Sequence, residues 1–385
     1  MLCLICCMAA KKLNVGIVCY PTYGGSGVVA TELGIALAHE GHQVHFISYK
    51  RPARLGPYQS QVYYHEVSPM EYPLFDFKPY DSALTSKIVD VALHQDLDLL
   101  HVHYAIPHAI IGYLAREILK TKGKRLPIVT TLHGTDITLV GVDAAFYPVV
   151  EFSINESDRV TAVSEYLKNK TIEAFGIQRT IDVVPNFVDL NRFRPAPDSP
   201  LKRQFACEGE KIICHISNFR KVKRIGDIIR TFYGVQKSLP SKLLLVGDGP
   251  ERTGLEDLVR ELGISQKVIF LGRQDAVEDI LAISDLFMLT SDHESFGLSA
   301  LEAMACGVPV ISSDAGGLRE VNQNGFSGYA YPVGDVQGMT AGALDILSNT
   351  QTLEDFRQNA MQQAAKFEIS KILPSYEKIY LEALG

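Results

Sequence analysis

Two carboxylates stand eight positions apart in the segment HESFGLSALEAMACGVPVIS, residues 293–312. The pattern predicts a loop that holds Glu294, a helix that carries Glu302 about two turns from its start, and a C-terminal cap at Gly307 before the next strand. A helix rises ~1.5 Å per residue, so the two carboxylates are separated by up to ~12 Å. That spacing suits contacts at two points along an elongated ligand.

Backbone N–H groups lie between these two acids. Those of Phe296, Gly297 and Leu298 stand at the predicted helix N-terminus, which attracts an anion such as phosphate. A carboxylate, an anion cradle and a second carboxylate match the sugar hydroxyls, the diphosphate and the ribose hydroxyls of a nucleotide sugar. The alternative is structural, with Glu302 a solvated helix residue and Glu294 a helix cap. Spacing alone does not decide between the two.

A glycine-rich segment, YGGSG at 23–27, opens a predicted helix after the first strand. Gly24, Gly25 and Gly27 would let the backbone approach an anion closely. The segment is not a GxGxxG fingerprint, and an isolated GGxG is equally typical of a tight turn that packs a helix on a strand. Both interpretations stay open.

Basic residues cluster in RKVKR at 220–224, directly after another predicted strand. Such a run is most often a solvated face. At the end of a strand it can also hold a phosphate, and the run by itself does not separate the two.

Apolar strand patterns alternate with helix patterns along the chain. The strand patterns cover 13–20, 43–48, 97–104, 127–133, 158–164, 181–187, 211–217, 242–248, 267–272, 285–291 and 307–313. The alternation pauses at 187–200, where three prolines predict a linker. We therefore predict an α/β protein with two doubly wound, Rossmann-like parallel-sheet domains. We expect a disordered leader at 1–12, a first domain at 13–185 and a second at 186–366.

Polar or glycine-rich loops follow six of these strands. They are YGGSG, HYAIPH, HGTD, SNFRKVKR, GDGPE and HESFG. Because ligands of doubly wound sheets bind outside the carboxyl ends of the strands, these loops predict a ligand cleft lined by both domains.

Composition limits the classes of function. The 385 residues carry a formal net charge of −7, which gives no whole-molecule attraction to nucleic acid or anionic membrane. We expect no stable membrane insertion, since no apolar run reaches ~18–20 residues. Seven cysteines without a framework spacing fit a reducing cytoplasm. His101 and His103 share one strand face, but Asp136 is the one carboxylate offered nearby, so we predict no metal site.

The segment ESFGLSALEAMACGVPVI resembles the E-x7-E region of retaining GT-B glycosyltransferases of family 4, and the resemblance extends over essentially the whole chain after the leader. CYPTYGGSGVVATELG, HVHYAIPHA, TTLHGTDIT, SDRVTAVS, SNFRKVKR and LLLVGDGPE resemble, in the same order, a group of this family that glycosylates L-malate in the synthesis of the thiol bacillithiol. The resemblance implies two domains facing across a cleft, with a last helix at about 367–385 that returns to the first domain. It implies no cofactor.

For the donor, the resemblance implies that Glu294 binds the sugar hydroxyls and Glu302 the ribose. These roles suit ionised carboxylates, which only accept hydrogen bonds. Further donor contacts are implied for Gly25, Gly247, Ser295, Phe296, Gly297 and Leu298.

In the family, an arginine and a lysine five positions later clamp the diphosphate. This sequence has Asn218 where the arginine would be and retains Lys223. The departure leaves a second positive charge to be supplied, by Arg220 or by Arg224. The resemblance thus favours a phosphate site over a solvated face.

For the acceptor, the resemblance implies contacts from side chains of the first domain and from the position that follows its last strand near the hinge. A dicarboxylate also calls for a cation or several hydrogen-bond donors. The implied or proposed acceptor contacts are Ser26, Tyr104, Thr131, Asn186 and Arg54.

The implied reaction transfers N-acetylglucosamine from UDP-N-acetylglucosamine to the hydroxyl of L-malate, with retention of the α configuration and release of UDP. His133 would contact the 6-hydroxyl of the donor sugar, and it joins Lys223 and Glu294 as a predicted catalytic residue. No carboxylate stands out as a nucleophile for two displacements, so we favour attack on the face that UDP leaves. Lys223 and nearby N–H groups would stabilise the leaving diphosphate.

Other interpretations remain. The chain could be a family 4 transferase for another acceptor, such as a lipid or an inositol phosphate. It could be a GT-B UDP-N-acetylglucosamine 2-epimerase, which needs no malate, or a sugar-binding protein without catalysis. A homo-oligomer is also left open. UDP release that depends on malate separates these alternatives.

Overall fold

A computed structural model of the chain describes residues 11–56, 58–69, 78–196 and 199–385. The predicted leader lies outside the described residues, apart from Lys11 and Lys12. The chain divides into two compact units. The first contains the chain up to Thr161, Thr171–Asp182 and Ser375–Gly385, and the second contains Ala162–Lys170 and Val183–Pro374.

Seven strands form the first sheet. They are β1 (Asn14–Val18), β2 (Gln43–Ser48), β3 (Val62–Glu66), β4 (Leu99–His103), β5 (Ile128–Leu132), β6 (Arg159–Ala162) and β7 (Ile181–Val183). Their order is β3-β2-β1-β4-β5-β6-β7, and the pairings among β1 to β5 are parallel. The direction of the strand order reverses between β1 and β4, which makes their carboxyl ends the switch point where such sheets bind ligands.

Six strands form the second sheet. They are β8 (Lys211–Ile216), β9 (Ser241–Val246), β10 (Val268–Gly272), β11 (Leu286–Leu289), β12 (Val310–Ser313) and β13 (Gly328–Tyr331). Their order is β10-β9-β8-β11-β12-β13, with parallel pairings throughout. Its switch point lies between β8 and β11. The two doubly wound, Rossmann-like sheets predicted from the alternating pattern are confirmed.

Fourteen α-helices are present in the described residues. They are α1 (Gly25–His39), α2 (Tyr80–His94), α3 (Ile110–Thr121), α4 (Tyr147–Glu156), α5 (Glu165–Phe175), α6 (Lys202–Phe205), α7 (Ile225–Gln236), α8 (Arg252–Glu261), α9 (Val277–Ala282), α10 (Leu298–Ala305), α11 (Leu318–Val321), α12 (Val336–Ser348), α13 (Thr350–Ala364) and α14 (Ile369–Leu384). None of those helices combines the length and the apolar character that crossing a bilayer requires.

Apolar residues at helical spacing pack the helices on the sheets. In α3, Ile111, Ala115 and Leu119 recur every four residues and are buried in one cluster with Leu100 and Val102 of β4. The second sheet has its own cluster of buried residues, which includes most of the apolar face of α7. Each sheet thus has its own hydrophobic core.

Two features of the fold differ from the predictions. Strands β3 and β13 were not predicted, because VYYHE and GYAY are short and mostly half-exposed, without a continuous apolar run. A proline inside a helix pattern normally predicts an interruption, whereas α14 continues through Pro374. Leu373 and Tyr376, on either side of the proline, are both buried, and this packing offsets the loss of one backbone hydrogen bond.

Candidate active site

An ion pair bridges the switch point of the second sheet. Lys223 ends a short 3-10 turn after β8, and Glu294 lies in the loop after β11. The Lys223 Nζ donates a hydrogen bond to Glu294 Oε2 at 2.7 Å, and the side chains are 21% and 17% exposed. The structure therefore brings together two of the three residues predicted to be catalytic, at the point where doubly wound sheets bind ligands.

The loop that holds Glu294 is fixed by backbone packing. The N–H of Gly317 donates to the Glu294 carbonyl at 2.8 Å, and a Cβ on Gly317 would lie 2.1 Å from the Ser295 carbonyl oxygen. The Ser164 hydroxyl donates to that same Ser295 oxygen at 2.6 Å. Sequence reasoning missed these supports. The one available signal was the Gly316–Gly317 pair after β12, where a side chain would displace the loop.

Helix α10 begins directly after this loop. Gly297 is its N-cap with φ +102°, and a Cβ there would meet the Leu318 side chain at 2.4 Å, so the position requires glycine. No side chain caps the helix, so the alternative of Glu294 as a helix cap is wrong. Gly307 has φ +72° just after the helix end, as predicted for the C-terminal cap.

Glu302 is a buried carboxylate on α10. It is 6% exposed, so the alternative of a solvated helix residue is also wrong. Phe296 is 2% exposed and packs edge-on against Phe367, with ring centroids 5.7 Å apart. Phe296 can therefore offer a ligand its backbone but not its ring. The next two residues, Gly297 and Leu298, begin the helix, whose first N–H groups have no acceptor within the helix itself.

The arginines of the basic run at 220–224 differ in whether they are ion-paired within the described residues. Arg224 adopts φ +48°, and its guanidinium pairs with Asp227 at 2.7 Å and with Asp292 at 3.3 Å. Arg220 is exposed, and it has no ion pair within the described ranges. It lines an open groove of about 370 Å³ beside α8. Asn218 is exposed as well. Of the two predicted substitutes for the family arginine, Arg220 is the one whose charge is available.

Gly247 holds the loop after β9 against the loop after β8. It has φ +125°, and a Cβ there would lie 1.9 Å from the Ser217 carbonyl oxygen. Its N–H donates to the Gly272 carbonyl at 2.7 Å. These contacts give Gly247 a structural reason to be glycine, while its contact with the donor stays a prediction.

A hydroxyl pair spans the switch point of the first sheet. Tyr104 follows β4, and its hydroxyl donates to Ser26 Oγ at 2.7 Å, in the first turn of α1. Burial raises the pKa of Tyr104 to about 12, so it is a neutral donor at neutral pH. Gly25 is exposed at the helix start, whereas a Cβ on Gly27 would lie 2.4 Å from the Thr22 carbonyl oxygen. The tight-turn interpretation therefore holds for Gly27. Ser26 and Tyr104, two of the predicted acceptor residues, are in contact with each other.

Thr131 lies inside the first sheet. It is fully buried on β5, and its Oγ1 is 2.7 Å from His101 Nε2 and 2.7 Å from Thr161 Oγ1. His101 in turn contacts the Tyr380 hydroxyl through Nδ1 at 2.8 Å. The Thr131 hydroxyl is therefore engaged within the sheet and has no exposed surface, and its contact with the acceptor stays a prediction.

Two further predicted acceptor residues are also engaged or buried. Arg54 Nη1 donates to Glu32 Oε1 at 2.7 Å, and both side chains are largely buried. Its charge is therefore already balanced by Glu32. Asn186 belongs to the second unit and is 6% exposed, and its Oδ1 has no partner among the residues that the structure describes.

Asp136 organises the loops after β4 and β5. Its carboxylate accepts the N–H groups of Ala105 and Gly134 at 2.9 Å and that of His133 at 3.3 Å. Burial raises its pKa to about 6. In the sequence, Asp136 was considered only as a possible metal ligand. Its position in HGTD, three residues after His133 and two after Gly134, was the signal that its carboxylate could accept their backbone N–H groups. In the described ranges, no three histidine, cysteine or acidic side chains are placed to hold a metal ion.

Three histidines contact one another between the interior of the first sheet and the loop after β5. His103 Nδ1 lies 2.8 Å from Nε2 of the half-buried His133, and the His101 and His103 rings stack at 4.4 Å. Burial lowers the pKa of His101 and of His133 to about 3, that of His108 to about 4, and that of His103 well below its usual range. All four rings are therefore neutral at neutral pH.

Two family models and several known proteins match long stretches of this chain. The model of Glycosyltransferase Family 4 matches residues 23–192, and that of Glycosyl transferases group 1 matches residues 200–363. The N-acetyl-alpha-D-glucosaminyl L-malate synthase of Bacillus anthracis is 47% identical over 97% of this chain and 98% of its own length. A D-inositol 3-phosphate glycosyltransferase of Rhodococcus erythropolis is 32% identical over 73% of this chain and 67% of its own length.

Solved structures share the fold. Anabaena HepE in complex with UDP and glucose superimposes with a TM-score of 0.81 at 23% identity, covering 96% of this chain and 99% of HepE. Sucrose-phosphate synthase from Thermosynechococcus elongatus gives a TM-score of 0.80 at 19% identity, with the same coverage. The predicted GT-B fold and family are confirmed, and the chain belongs to the family 4, group 1 glycosyltransferases.

Proposed function

We propose that this enzyme transfers N-acetylglucosamine from UDP-N-acetylglucosamine to the hydroxyl of L-malate, with retention of configuration and release of UDP. The observation that carries the proposal is the 47% identity, over nearly the full length of both chains, with the Bacillus anthracis L-malate synthase. The glycosylated malate would enter bacillithiol synthesis. Free thiols at all four described cysteines agree with a reducing cytoplasm as its location.

We assign the donor to the second unit. Lys223 offers the positive charge for the diphosphate, and the N-terminus of α10 offers backbone N–H groups. Diphosphate oxygens near Lys223 would compete with Glu294 for the ammonium group. The released carboxylate could then accept hydrogen bonds from the sugar hydroxyls. We assign Glu302 to the ribose hydroxyls. Arg220 is assigned the second positive charge at the diphosphate, because Asn218 stands where the family has an arginine.

Retention then follows from attack on the face that UDP leaves. The bond from the anomeric carbon to the β-phosphate oxygen breaks, and a bond from that carbon to the malate oxygen forms. The malate hydroxyl proton passes to the departing phosphate oxygen. Glu294 is an unsuitable nucleophile in this scheme, because its carboxylate is paired with Lys223 and is then needed by the sugar. Stabilisation of the leaving diphosphate is the main catalytic contribution.

We assign the acceptor chiefly to the Ser26–Tyr104 hydroxyl pair. The Tyr104 hydroxyl donates to Ser26 Oγ, so the Ser26 hydroxyl, in the first turn of α1, is the group that can donate to a malate carboxylate. Arg54 is a secondary contact, because binding malate through it requires sharing the guanidinium with Glu32. His133 is assigned to the donor sugar.

An acceptor panel tests the proposal. UDP release is measured with UDP-N-acetylglucosamine and L-malate, D-malate, inositol 3-phosphate or no acceptor, each with a chelator present. Release that requires L-malate is expected. Faster release with inositol 3-phosphate would favour the activity named for the Rhodococcus relative. Formation of an isomeric nucleotide sugar without UDP release would identify an epimerase.

A further inference from the structure

The contact between His103 and His133 fixes which nitrogen of His133 is available to a ligand. His103 ends β4 and is fully buried, and its Nδ1 lies 2.8 Å from His133 Nε2. The rings lie nearly parallel, with centroids 5.1 Å apart and planes 22° apart. The His133 ring makes no other hydrogen bond with the described residues, so Nδ1 is the nitrogen left for a ligand.

The two rings share one hydrogen bond, so one nitrogen donates and the other accepts. Each neutral imidazole has one N–H, and the bond made by one nitrogen decides where that hydrogen resides. If His103 donates, the His133 hydrogen is on Nδ1. If His133 donates, its Nδ1 is a bare acceptor and the His103 hydrogen moves to Nε2.

The surroundings of His103 Nε2 favour the first arrangement. This nitrogen is buried and has no partner among the residues that the structure describes. The second arrangement would place an N–H there without an acceptor, and orphaned buried N–H groups are rarer than unpaired buried acceptors. In the first arrangement the nitrogen keeps only a lone pair. The adjacent His108 follows the same rule: its Nδ1 lies 2.6 Å from the His103 carbonyl and must donate, so its buried Nε2 is bare.

We infer that His103 is a positioning residue that donates Nδ1–H to His133 Nε2 and holds the His133 hydrogen on Nδ1. His133 then offers an oxygen of the ligand a hydrogen-bond donor and no acceptor. Asp136 fixes the backbone of His133, so together these contacts set both the place and the direction of that donor. The effect on turnover rests on the proposed function, whereas the position of the hydrogen does not.

Nitrogen-15 NMR of histidine-labelled full-length protein tests the assignment without an activity assay. Protonated and bare ring nitrogens have well-separated chemical shifts, and loss of signals in His133→Gln assigns the residue. We expect protonated Nδ1 and bare Nε2 at His133. In His103→Asn, an amide N–H can replace the donor, so the same tautomer is expected. In His103→Asp, an ionised carboxylate only accepts, so the hydrogen should move to Nε2. A hydrogen on Nε2 of His133 in the unaltered protein would overturn the inference.

Turnover provides the second readout. His103→Asp should lower kcat about tenfold, the effect of one lost hydrogen bond, while KM for L-malate changes little. His103→Asn should restore most of kcat. The matched control is His45→Asp, since His45 is also fully buried and bonds a histidine, with His45 Nδ1 at 3.0 Å from His65 Nε2. A loss of kcat in the control equal to that in His103→Asp would assign His103 a merely structural role. If no acceptor supports turnover, the proposed function fails while the NMR result still decides the inference.

Discussion

Lys223 and Glu294 are each other's counter-ions, with Nζ and Oε2 2.7 Å apart across the switch point of the second sheet. The first sheet has a matching contact at its own switch point, between Ser26 and Tyr104. Doubly wound sheets bind ligands at these points. We therefore expect each unit to bind its ligand beside its own contact, and the two contacts give separate variants for donor and acceptor.

Replacing the lysine tests the donor site. Lys223→Ala removes the charge assigned to the leaving diphosphate, so kcat should fall by about 10²-fold or more. The free energy of unfolding should fall by about 1–3 kcal/mol, because removing the lysine leaves the largely buried Glu294 carboxylate without its charged partner. The matched control is Lys221→Ala, an exposed lysine of the same short turn, which should keep its activity. Steady-state kinetics and thermal unfolding measure both, and equal turnover in the two variants would refute the assignment.

Removing one hydroxyl tests the acceptor site. Tyr104→Phe deletes the hydrogen bond that orients the Ser26 hydroxyl towards malate, so KM for L-malate should rise about tenfold. KM for UDP-N-acetylglucosamine should stay unchanged, since Tyr104 belongs to the first unit. Tyr113→Phe on α3 is the control and should affect neither constant. A rise in the donor KM alone would move Tyr104 to the donor site.

Much of the site could be predicted from local patterns. The loop at Glu294, the helix carrying Glu302 and the cap at Gly307 follow from turn and helix signals within twenty residues. The two sheets follow from alternating apolar runs. Such signals are local, and local signals suffice to place residues at the ends of strands.

The parts that were not predicted depend on contacts distant in sequence. Thr131 pairs with His101 and Thr161, which places its hydroxyl inside the sheet. Gly317 supports Glu294, and Asp136 joins the loops after β4 and β5, only because the strand order brings those loops together. A single sequence contains no register of neighbouring strands, so these contacts could not be read from it.

Buried histidines should make stability fall as the pH falls below about 6.5. Five are fully buried: His45, His101, His103, His108 and His215. Burial lowers the pKa of each from its ordinary value of 6.5, to about 4 for His45, His108 and His215. The unfolded chain therefore binds protons that the folded chain excludes, so each histidine contributes stability above pH 6.5 that is lost on acidification. The loss is about 1 kcal/mol per histidine between about pH 7 and about pH 5.5.

Asp136 opposes this trend, because its raised pKa of about 6 lets the folded state take up one proton over the same range. Five histidines outweigh one carboxyl. Urea midpoints measured at several pH values should fall on acidification from about pH 7. A midpoint that is constant or rises would contradict the neutral histidine network.

The carboxylate of Asp136 should matter for stability as well as for placing His133. Asp136→Asn keeps the shape but replaces one acceptor oxygen by an N–H₂ group that faces backbone donors. The expected loss in the free energy of unfolding is about 1–3 kcal/mol. Asp143→Asn is the matched control, because Asp143 caps the Ala145 N–H in an exposed loop, and its loss should be under about 0.5 kcal/mol. Similar losses in the two variants would contradict the anchoring role.

Product mass and anomeric configuration, both read from one reaction, test the proposed transfer to L-malate most directly. The enzyme is incubated with UDP-N-acetylglucosamine and L-malate, and the products are read by mass spectrometry and by the proton NMR coupling of the anomeric hydrogen. We expect N-acetylglucosaminyl malate in the α configuration and an equal amount of UDP. A β-linked product would contradict same-face attack, and unchanged malate beside released UDP or an isomeric nucleotide sugar would contradict malate as the acceptor.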